Sequence, residues 1–181
     1  MSRITVVNPS TATGETKALL DSVQAKLGVT PNFLRVLANS PVALESFLGL
    51  HNMAVNGKLD LQTRERIAIA LAQQNNCDYC LSAHSFIGRR AGLTGDEIAA
   101  NRQGTSHDAK ATAAVAFALA LVEHTGEVTN AELDAVRKVG YGDAEIVEII
   151  VHVGMNLLTN ILNKAARVEI DFPKVELKKA A

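Results

Sequence analysis

The sequence predicts an all-α protein, and three observations support this fold class. Apolar residues recur at the three- and four-residue spacing of a helix, as in residues 61–74. The chain is 48% hydrophobic but only 4% aromatic, and alanine is abundant, which favours closely packed helices. Side chains that cap helices stand before most of the apolar segments. We expect one domain over residues 1–181, with extended tails at residues 1–12 and 168–181.

Capping residues predict where the helices begin and end. A hydroxyl or carboxylate before a helix accepts a hydrogen bond from its first turn, and proline suits the first helical position. Predicted starts are Thr30-Pro31, Ser40-Pro41, Asp60, Asn76, Thr94, Ser106, Thr129 and Asp143. Predicted ends are Gly57, Gln74, Ala91, Gly126 and Arg167. Thr94 and Thr129 each precede a glutamate in the pattern of a capping box. The segments at 61–74 and 76–91 would form a helical hairpin.

The charge and hydropathy patterns exclude several classes of function. The formal net charge is −1, and no cluster of lysine and arginine forms a stripe that could follow a nucleic-acid backbone. The first residues lack the basic start and long apolar run of a signal peptide, so a cytoplasmic protein is expected. The most apolar stretches, residues 111–122 and 146–162, are too short for a bilayer or carry polar residues. We therefore expect no nucleic-acid partner and no membrane span.

A pair of closely spaced cysteines is the most informative feature of the sequence. Such a sparse pair indicates redox or metal chemistry rather than a secreted disulfide framework. On a helix, Cys77, Cys80 and His84 share one face because they are spaced by three and four residues. Cys77 would lie in the first turn, where backbone N–H groups and the helix dipole stabilise a thiolate. The spacing therefore predicts a reactive thiol pair.

The chemistry of these residues suggests a dithiol redox cycle. His84 is positioned to take the proton of Cys80, and the resulting thiolate is the nucleophile toward a peroxide. Once one sulfur is a sulfenic acid, the other can condense with it to give a disulfide and water. Glu65 lies on the preceding helix, and an antiparallel hairpin would bring its carboxylate beside the imidazole. The candidate catalytic residues are therefore Cys80, Cys77, His84 and Glu65.

The spacing Glu-x11-Cys-x2-Cys-x3-His resembles the active-site signature of the alkylhydroperoxidase-D-like (AhpD-like) family, part of the carboxymuconolactone decarboxylase superfamily. Residues 59–92, the VHVGMNLLTN segment at 151–160 and the DFP sequence at 171–173 resemble its peroxidase-related branch. The resemblance implies a single-domain, all-α AhpD-like fold in which a helical hairpin carries the Cys-x2-Cys motif. It also implies assembly as a homo-oligomer, in the form of a dimer, trimer or hexamer.

The function that the resemblance implies is a thiol-dependent peroxidase that reduces hydroperoxides without a cofactor. In that family the cysteine matching Cys80 reacts with the peroxide and the one matching Cys77 resolves it. The residues matching Glu65 and His84 form a proton relay through water. A dithiol reductant, either a lipoylated or a thioredoxin-like protein, then reduces the disulfide. The best-studied members carry histidine where this chain has Tyr79, so we expect a shorter or slower relay.

Other interpretations of the same residues stay open. The cysteines could be small buried helix residues. Two cysteines, His84 and Glu65 could also bind zinc, but three ligands on one short helical face fit a tetrahedron poorly, and we assign no metal. The superfamily also contains cofactor-free decarboxylases of the carboxymuconolactone type, and a non-enzymatic redox sensor would use the same disulfide.

Several further polar residues have an open role. His152, Asn156 and Asn160 form a row along an apolar helix. They would either face the substrate cavity or lie buried and hydrogen-bonded at a subunit interface. The remaining histidines have no partner at a meaningful spacing and are interpreted as surface or core residues: His51, His107 and His124.

Overall fold

The computed structural model describes residues 1–178, apart from the side chains of Met53 and Ala54. Within these residues the chain forms nine α-helices and no strands, which confirms the predicted fold class. The helices are α1 (Gly14–Leu27), α2 (Asn32–Leu37), α3 (Pro41–Asn56), α4 (Leu61–Gln74), α5 (Asp78–Arg90), α6 (Gly95–Asn101), α7 (Ala109–Glu123), α8 (Asn130–Lys138) and α9 (Asp143–Ala166). The end of the predicted C-terminal tail, residues 179–181, lies outside the described residues.

The caps of α3 and α4 occur where the sequence predicts them. At the start of α3 the Ser40 hydroxyl accepts a hydrogen bond from the Ala43 N–H at 3.3 Å. At the start of α4 the Asp60 carboxylate accepts one from the Thr63 N–H at 2.8 Å. A short turn then joins α4 to α5, and Asn76 in this turn has a left-handed φ of 53°. These two helices form the predicted hairpin.

Thr94 and Thr129 also cap their helices as predicted, and Thr129 forms the full capping box with Glu132. Three other features at the helix starts differ from the prediction. α7 begins after Asp108 rather than Ser106, because the Ser106 hydroxyl donates to the buried Glu97 carboxylate instead. Thr94 and Glu97 form only half of a capping box: the Thr94 hydroxyl accepts from the Glu97 N–H at 3.1 Å, but the Glu97 carboxylate turns inward. The sequence does not predict α1, whose N-cap residue, Thr13, makes no side-chain hydrogen bond.

Helix α4 lies at the centre of the fold and packs against α5, α7 and α9. Ile67 and Leu71 belong to a core cluster with side chains of α7, α8 and α9, whereas Ile69 packs on the other side with α5. All three are fully buried. Burial of such a side chain contributes about 1.5–3 kcal/mol. Glu65 lies on this firmly packed helix, which therefore holds its position.

Among the described helices, α9 alone is long and apolar enough to span a bilayer, with 24 residues and a mean hydropathy of 1.4 in its most apolar window. Core helices of this length often have the same composition. The inner face of α9 packs against α3, α4 and α5 and buries His152, Asn156 and Asn160. Its composition is therefore weak evidence for a membrane span.

The C-terminal tail runs extended across α5 and reaches α2. The Asp171 carboxylate accepts hydrogen bonds from the Tyr79 hydroxyl at 2.7 Å and from the Asn32 N–H at 2.8 Å. Further along, the Val175 N–H donates to the Ser82 hydroxyl at 3.0 Å. The tail therefore packs on its own chain, directly over the helix that carries the cysteines.

Candidate active site

The two cysteines stand at the N-terminus of α5. Cys77 caps the helix from just outside its first turn, which corrects the predicted position inside that turn, and its sulfur accepts from the Cys80 N–H at 3.3 Å. A disulfide joins the two residues, whose Cα atoms are 5.3 Å apart. Cys77 is 0% exposed and Cys80 is 2% exposed. A reaction partner must therefore enter the protein to reach the sulfur atoms.

The hairpin brings Glu65 beside His84, as the sequence predicts. Glu65 Oε2 lies 2.9 Å from His84 Nδ1, and the side chains are 8% and 21% exposed. A carboxylate in this position accepts the proton on Nδ1, so the Nε2 lone pair of the neutral imidazole is available. The same carboxylate stabilises the imidazolium that forms when Nε2 takes up a proton. The pair is thus arranged as a proton acceptor.

A cavity of about 170 Å³ lies against the disulfide. Among the described residues, Cys80 and His84 line it, whereas Cys77 and Glu65 stand behind them. Most of the remaining wall is apolar and includes Leu27, Phe33, Phe47, Ile87, Met155 and Phe172. An apolar cavity with a few polar groups is the usual form of a small-molecule site. The two cysteines are therefore not equivalent, because only Cys80 faces this space.

The sulfur of Cys80 has a polar neighbour that the sequence interpretation did not include. Asn163 Nδ2, on α9, donates a hydrogen bond to Cys80 Sγ at 3.4 Å. A donor at this place stabilises negative charge on the sulfur. In this disulfide form, no hydrogen bond joins Cys80 to His84 among the described residues. Asn163 follows Asn160 at helical spacing, and that signal could have extended the polar row to it.

His51 is a second candidate that the sequence interpretation missed. It lies on α3 and faces the cavity together with Cys80 and His84. Burial lowers the pKa of His51, and the positive charge of Arg64 lowers it further. No spacing in the sequence links His51 to the motif, because their proximity depends on how α3 packs in the fold. The side chains of His107 and His124 are 65% and 46% exposed, in agreement with their interpretation as surface residues.

Tyr79 forms part of the cavity wall. Its hydroxyl donates to Asp171 and accepts from the Phe33 N–H at 3.3 Å, and its ring lies 5.8 Å from that of Phe172. Burial raises the pKa of Tyr79, and the hydrogen bond to Asp171 raises it further. Its hydroxyl therefore stays protonated and attaches the C-terminal tail.

One residue of the polar row on α9 agrees with the cavity interpretation, whereas the other two are buried inside the chain without a second subunit. Asn156 lines the cavity. His152 and Asn160 are buried within this chain: His152 Nε2 lies 2.9 Å from the Arg64 carbonyl oxygen, and Asn160 Oδ1 accepts from Asn75 at 2.9 Å. Burial lowers the pKa of His152 to about 4, so its imidazole is neutral at physiological pH. These two residues therefore tie α9 to α4 and to the turn after it.

The described residues contain no group of three or more His, Cys, Asp or Glu side chains arranged to hold a metal ion. The two cysteines, His84 and Glu65 form two pairs instead of one ligand set: a disulfide and a carboxylate–imidazole contact. The arrangement provides a two-electron thiol–disulfide couple at the wall of an apolar cavity, with a proton acceptor beside it.

Comparison with known proteins identifies related families and folds. The model of the carboxymuconolactone decarboxylase family matches residues 41–123, from the start of α3 to the end of α7, which includes the whole motif. Among curated proteins, uncharacterized protein 4 in the cox locus of Paracoccus denitrificans is 34% identical over 55 residues. That match covers 30% of this chain and half of the length of the relative.

Solved structures match over nearly the full chain. An uncharacterized peroxidase-related protein from Silicibacter sp. TM1040 is 25% identical, with 93% of this chain and 91% of that chain covered and a TM-score of 0.81. An alkylhydroperoxidase AhpD core protein from Ralstonia eutropha JMP134, also described as peroxidase-related, is 26% identical, with coverage of 94% and 92% and a TM-score of 0.81. The debrominase Bmp8, solved with 2,3,4-tribromopyrrole, is 22% identical, with 94% of both chains covered and a TM-score of 0.78, and shares the fold.

The family match covers the helices that carry the motif, and the two peroxidase-related structures extend the likeness to the remaining helices. The motif residues, the hairpin and the overall helix arrangement thus agree with one another. Residues 41–123 therefore match the carboxymuconolactone decarboxylase family, and nearly the whole chain has the fold of the alkylhydroperoxidase-D-like, peroxidase-related structures.

Proposed function

We propose that the chain is a thiol-dependent peroxidase that reduces hydroperoxides through a Cys77/Cys80 dithiol–disulfide cycle, with Glu65 and His84 as the proton relay. The observation that supports this best is the shared cavity. Cys80 and the His84 imidazole line one apolar space, while Cys77 is bonded to Cys80 from behind. The apolar wall suits the organic part of an alkyl hydroperoxide.

The cycle begins when His84 takes the proton of reduced Cys80 through a molecule in the cavity. The Cys80 thiolate attacks the terminal oxygen of the hydroperoxide, the O–O bond breaks, and the other oxygen leaves as an alcohol after receiving a proton. Cys80 is then a sulfenic acid. The sulfur of Cys77 attacks it and water leaves, which forms the disulfide. The two thiols have lost two electrons, and the hydroperoxide has gained them.

A dithiol must then reduce the disulfide, and the burial of the sulfur atoms favours one kind of donor. Exposed fractions of 0% for Cys77 and 2% for Cys80 leave little for the surface of a folded thioredoxin-like protein to contact. A slender dithiol such as a lipoyl group could enter the cavity and attack Cys80, with Cys77 as the leaving thiolate. We therefore expect dihydrolipoamide to support turnover better than a thioredoxin-like protein.

Assembly as a homo-oligomer is part of the proposal. Exposed apolar side chains follow one face of α9, and their exposed fractions lie between 45% and 64%: Val147, Ile150, Leu158 and Ile161. A continuous apolar face of this kind favours burial against a second copy of the chain. Ile161→Glu should therefore reduce the mass measured by light scattering, whereas Val42→Glu, a change at a residue 69% exposed on α3, should not. A monomeric wild-type protein would contradict this part.

Steady-state turnover separates the peroxidase from the two alternatives. We would measure consumption of tert-butyl hydroperoxide with dihydrolipoamide as reductant for the wild type, Cys80→Ser and Cys77→Ser. Cys80→Ser should have no turnover because it lacks the attacking sulfur, and Cys77→Ser should stop after one equivalent of peroxide because it cannot form the disulfide.

Each alternative predicts a different result. A redox sensor would form the disulfide once and then consume no further peroxide in the presence of the dithiol. A cofactor-free decarboxylase needs proton transfer but no second thiol, so its activity on a lactone acid would survive Cys77→Ser. Wild-type thiols that remain intact in excess organic hydroperoxide would overturn the proposed function.

A further inference from the structure

His51 brings a further imidazole to the cavity, from a helix outside the motif. It lies on α3, and its ring centroid is 6.2 Å from that of Phe47. A neighbouring cavity of about 260 Å³ also includes His51 and Leu27 in its wall. His51 therefore stands where the space beside Cys80 meets a second space, in a position to contact a molecule that occupies either.

The proposed chemistry leaves one requirement that the Glu65–His84 pair does not meet on its own. When the O–O bond breaks, negative charge develops on the oxygen that leaves as an alkoxide. At that moment His84 Nδ1 is held by Glu65 at 2.9 Å, and Nε2 carries the proton taken from Cys80. A separate donor that is already oriented toward the leaving oxygen would stabilise this charge before the proton arrives.

We propose that His51 is a further catalytic residue, whose imidazole N–H donates a hydrogen bond to the leaving oxygen of the hydroperoxide. The inference rests on the proposed function and deepens it. In the balanced step, the Cys80 sulfur bonds to the terminal oxygen, and the O–O electron pair moves to the leaving oxygen beside His51. The proton that Cys80 gave to His84 then converts the alkoxide to an alcohol, and His51 keeps its own proton throughout.

The electrostatic surroundings of His51 agree with a neutral donor. Burial lowers the pKa of His51, the charges of Arg64 and His84 lower it further, and Glu65 acts in the opposite direction. When His84 becomes positively charged, His51 is therefore disfavoured from gaining a proton as well. A neutral imidazole retains one N–H donor and does not compete with His84 for the proton of Cys80.

Two oxidants with different leaving groups test this role. The first is tert-butyl hydroperoxide, which releases an alkoxide whose conjugate acid is a very weak acid, with a pKa far above neutral pH. The second is peracetic acid, which releases a carboxylate whose conjugate acid has a pKa of about 4. A carboxylate leaves without help, so only the first oxidant needs the donor. Both oxidants need the Cys80 thiolate equally.

The measurement is the rate of thiol loss in a single turnover of the reduced full-length protein. His51→Leu should slow the reaction with tert-butyl hydroperoxide about 100-fold, the effect of removing one donor to an oxyanion, and leave the rate with peracetic acid within about 3-fold of the wild type. His51→Gln, which keeps an N–H donor, should recover part of the lost rate. His107→Gln, at a residue 65% exposed, is the matched control and should react like the wild type.

The outcomes separate this inference from the proposed function. If His51→Leu lost thiols equally slowly with both oxidants, His51 would be a structural residue and the inference would be overturned. Unchanged rates with both oxidants would also overturn it. The peroxidase proposal would survive both of those results. Wild-type thiols that react with neither oxidant would overturn the peroxidase proposal, and the role of His51 would fall with it.

Discussion

Two buried glutamates of the same fold, Glu65 on α4 and Glu97 on α6, differ in what surrounds the carboxylate. Their side chains are 8% and 7% exposed, and each lies beside a histidine. Glu97 accepts hydrogen bonds from Arg66 Nε at 2.7 Å, from Asn101, from Ser106 and from a backbone N–H. Among the described contacts, Glu65 meets a single side-chain partner, the imidazole of His84.

The difference shows that burial alone does not make a carboxylate useful for catalysis. Burial raises the pKa of Glu97, but the hydrogen bonds of Ser106, His107 N–H, Asn101 and Arg66 outweigh it and bring the pKa to about 2. A carboxylate with so many permanent donors is an anchor for the fold. Glu65 instead meets a group that itself gains and loses a proton, next to a cavity. We therefore expect substitutions at the two sites to affect different properties.

The largest expected effect is on stability, at Glu97. Glu97→Gln leaves the Arg66 guanidinium, 12% exposed, without its carboxylate. Breaking a buried ion pair on one side costs about 3–5 kcal/mol, so the urea midpoint should fall strongly. The fraction that remains folded should keep its rate of thiol oxidation by peroxide. A Glu97→Gln protein as stable as the wild type would contradict the assignment of Glu97 as an anchor.

Glu65→Gln is the matched substitution and should affect activity. The amide no longer stabilises the imidazolium of His84, so the rate of peroxide turnover should fall about 100-fold, as expected for general acid–base groups. Stability in urea should change by less than about 1 kcal/mol, because the partner imidazole is partly exposed. If Glu65→Gln lost stability and kept its turnover rate, the contrast between the two glutamates would be reversed.

The pH dependence of stability tests the same contrast in the wild type. The pKa of Glu97 is about 2 in the folded protein, below its ordinary value of 4.5. Its stabilising contribution is therefore present above pH 4.5 and is lost as the pH falls from 4.5 toward 2. We expect a loss of about 2 kcal/mol from this group over that interval. Urea unfolding at several pH values should show that the free energy of unfolding falls less toward acid pH in Glu97→Gln than in the wild type.

The smallest expected effect is at Tyr79, whose hydroxyl joins the cavity wall to the tail through Asp171. Tyr79→Phe keeps the ring and removes that hydrogen bond, which should cost about 1 kcal/mol. Because the phenol is not part of the proposed relay, the rate of Cys80 oxidation should fall by less than about 3-fold, well below the loss expected for Glu65→Gln. A loss equal to that of Glu65→Gln would place the tyrosine in the relay.

The local part of the site could be predicted from the sequence. Caps at Ser40 and Asp60 and the spacing of Cys77, Cys80 and His84 depend on residues within one or two turns of each other. The contact between Glu65 and His84 needed only the assumption of a hairpin. These features involve little of the tertiary fold, so pattern and helix geometry were sufficient.

The rest of the site depends on packing between distant segments. His51 on α3, Asn163 on α9 and Asp171 in the tail reach the motif through contacts that no spacing along the chain reveals. The prediction of a cap at Ser106 is wrong for a related reason, because the Ser106 hydroxyl donates a hydrogen bond to Glu97 on another helix. Buried polar groups must be satisfied, and this requirement overrides a local preference for capping.

The most direct test of the account is to identify which sulfur a hydroperoxide oxidises first. Reduced Cys77→Ser and Cys80→Ser proteins would be treated with tert-butyl hydroperoxide in the presence of dimedone and analysed by mass spectrometry. Because only Cys80 faces the cavity, we predict a sulfenic acid adduct on Cys80 in Cys77→Ser and no adduct in Cys80→Ser. An adduct on Cys77, or none in either variant, would contradict the account.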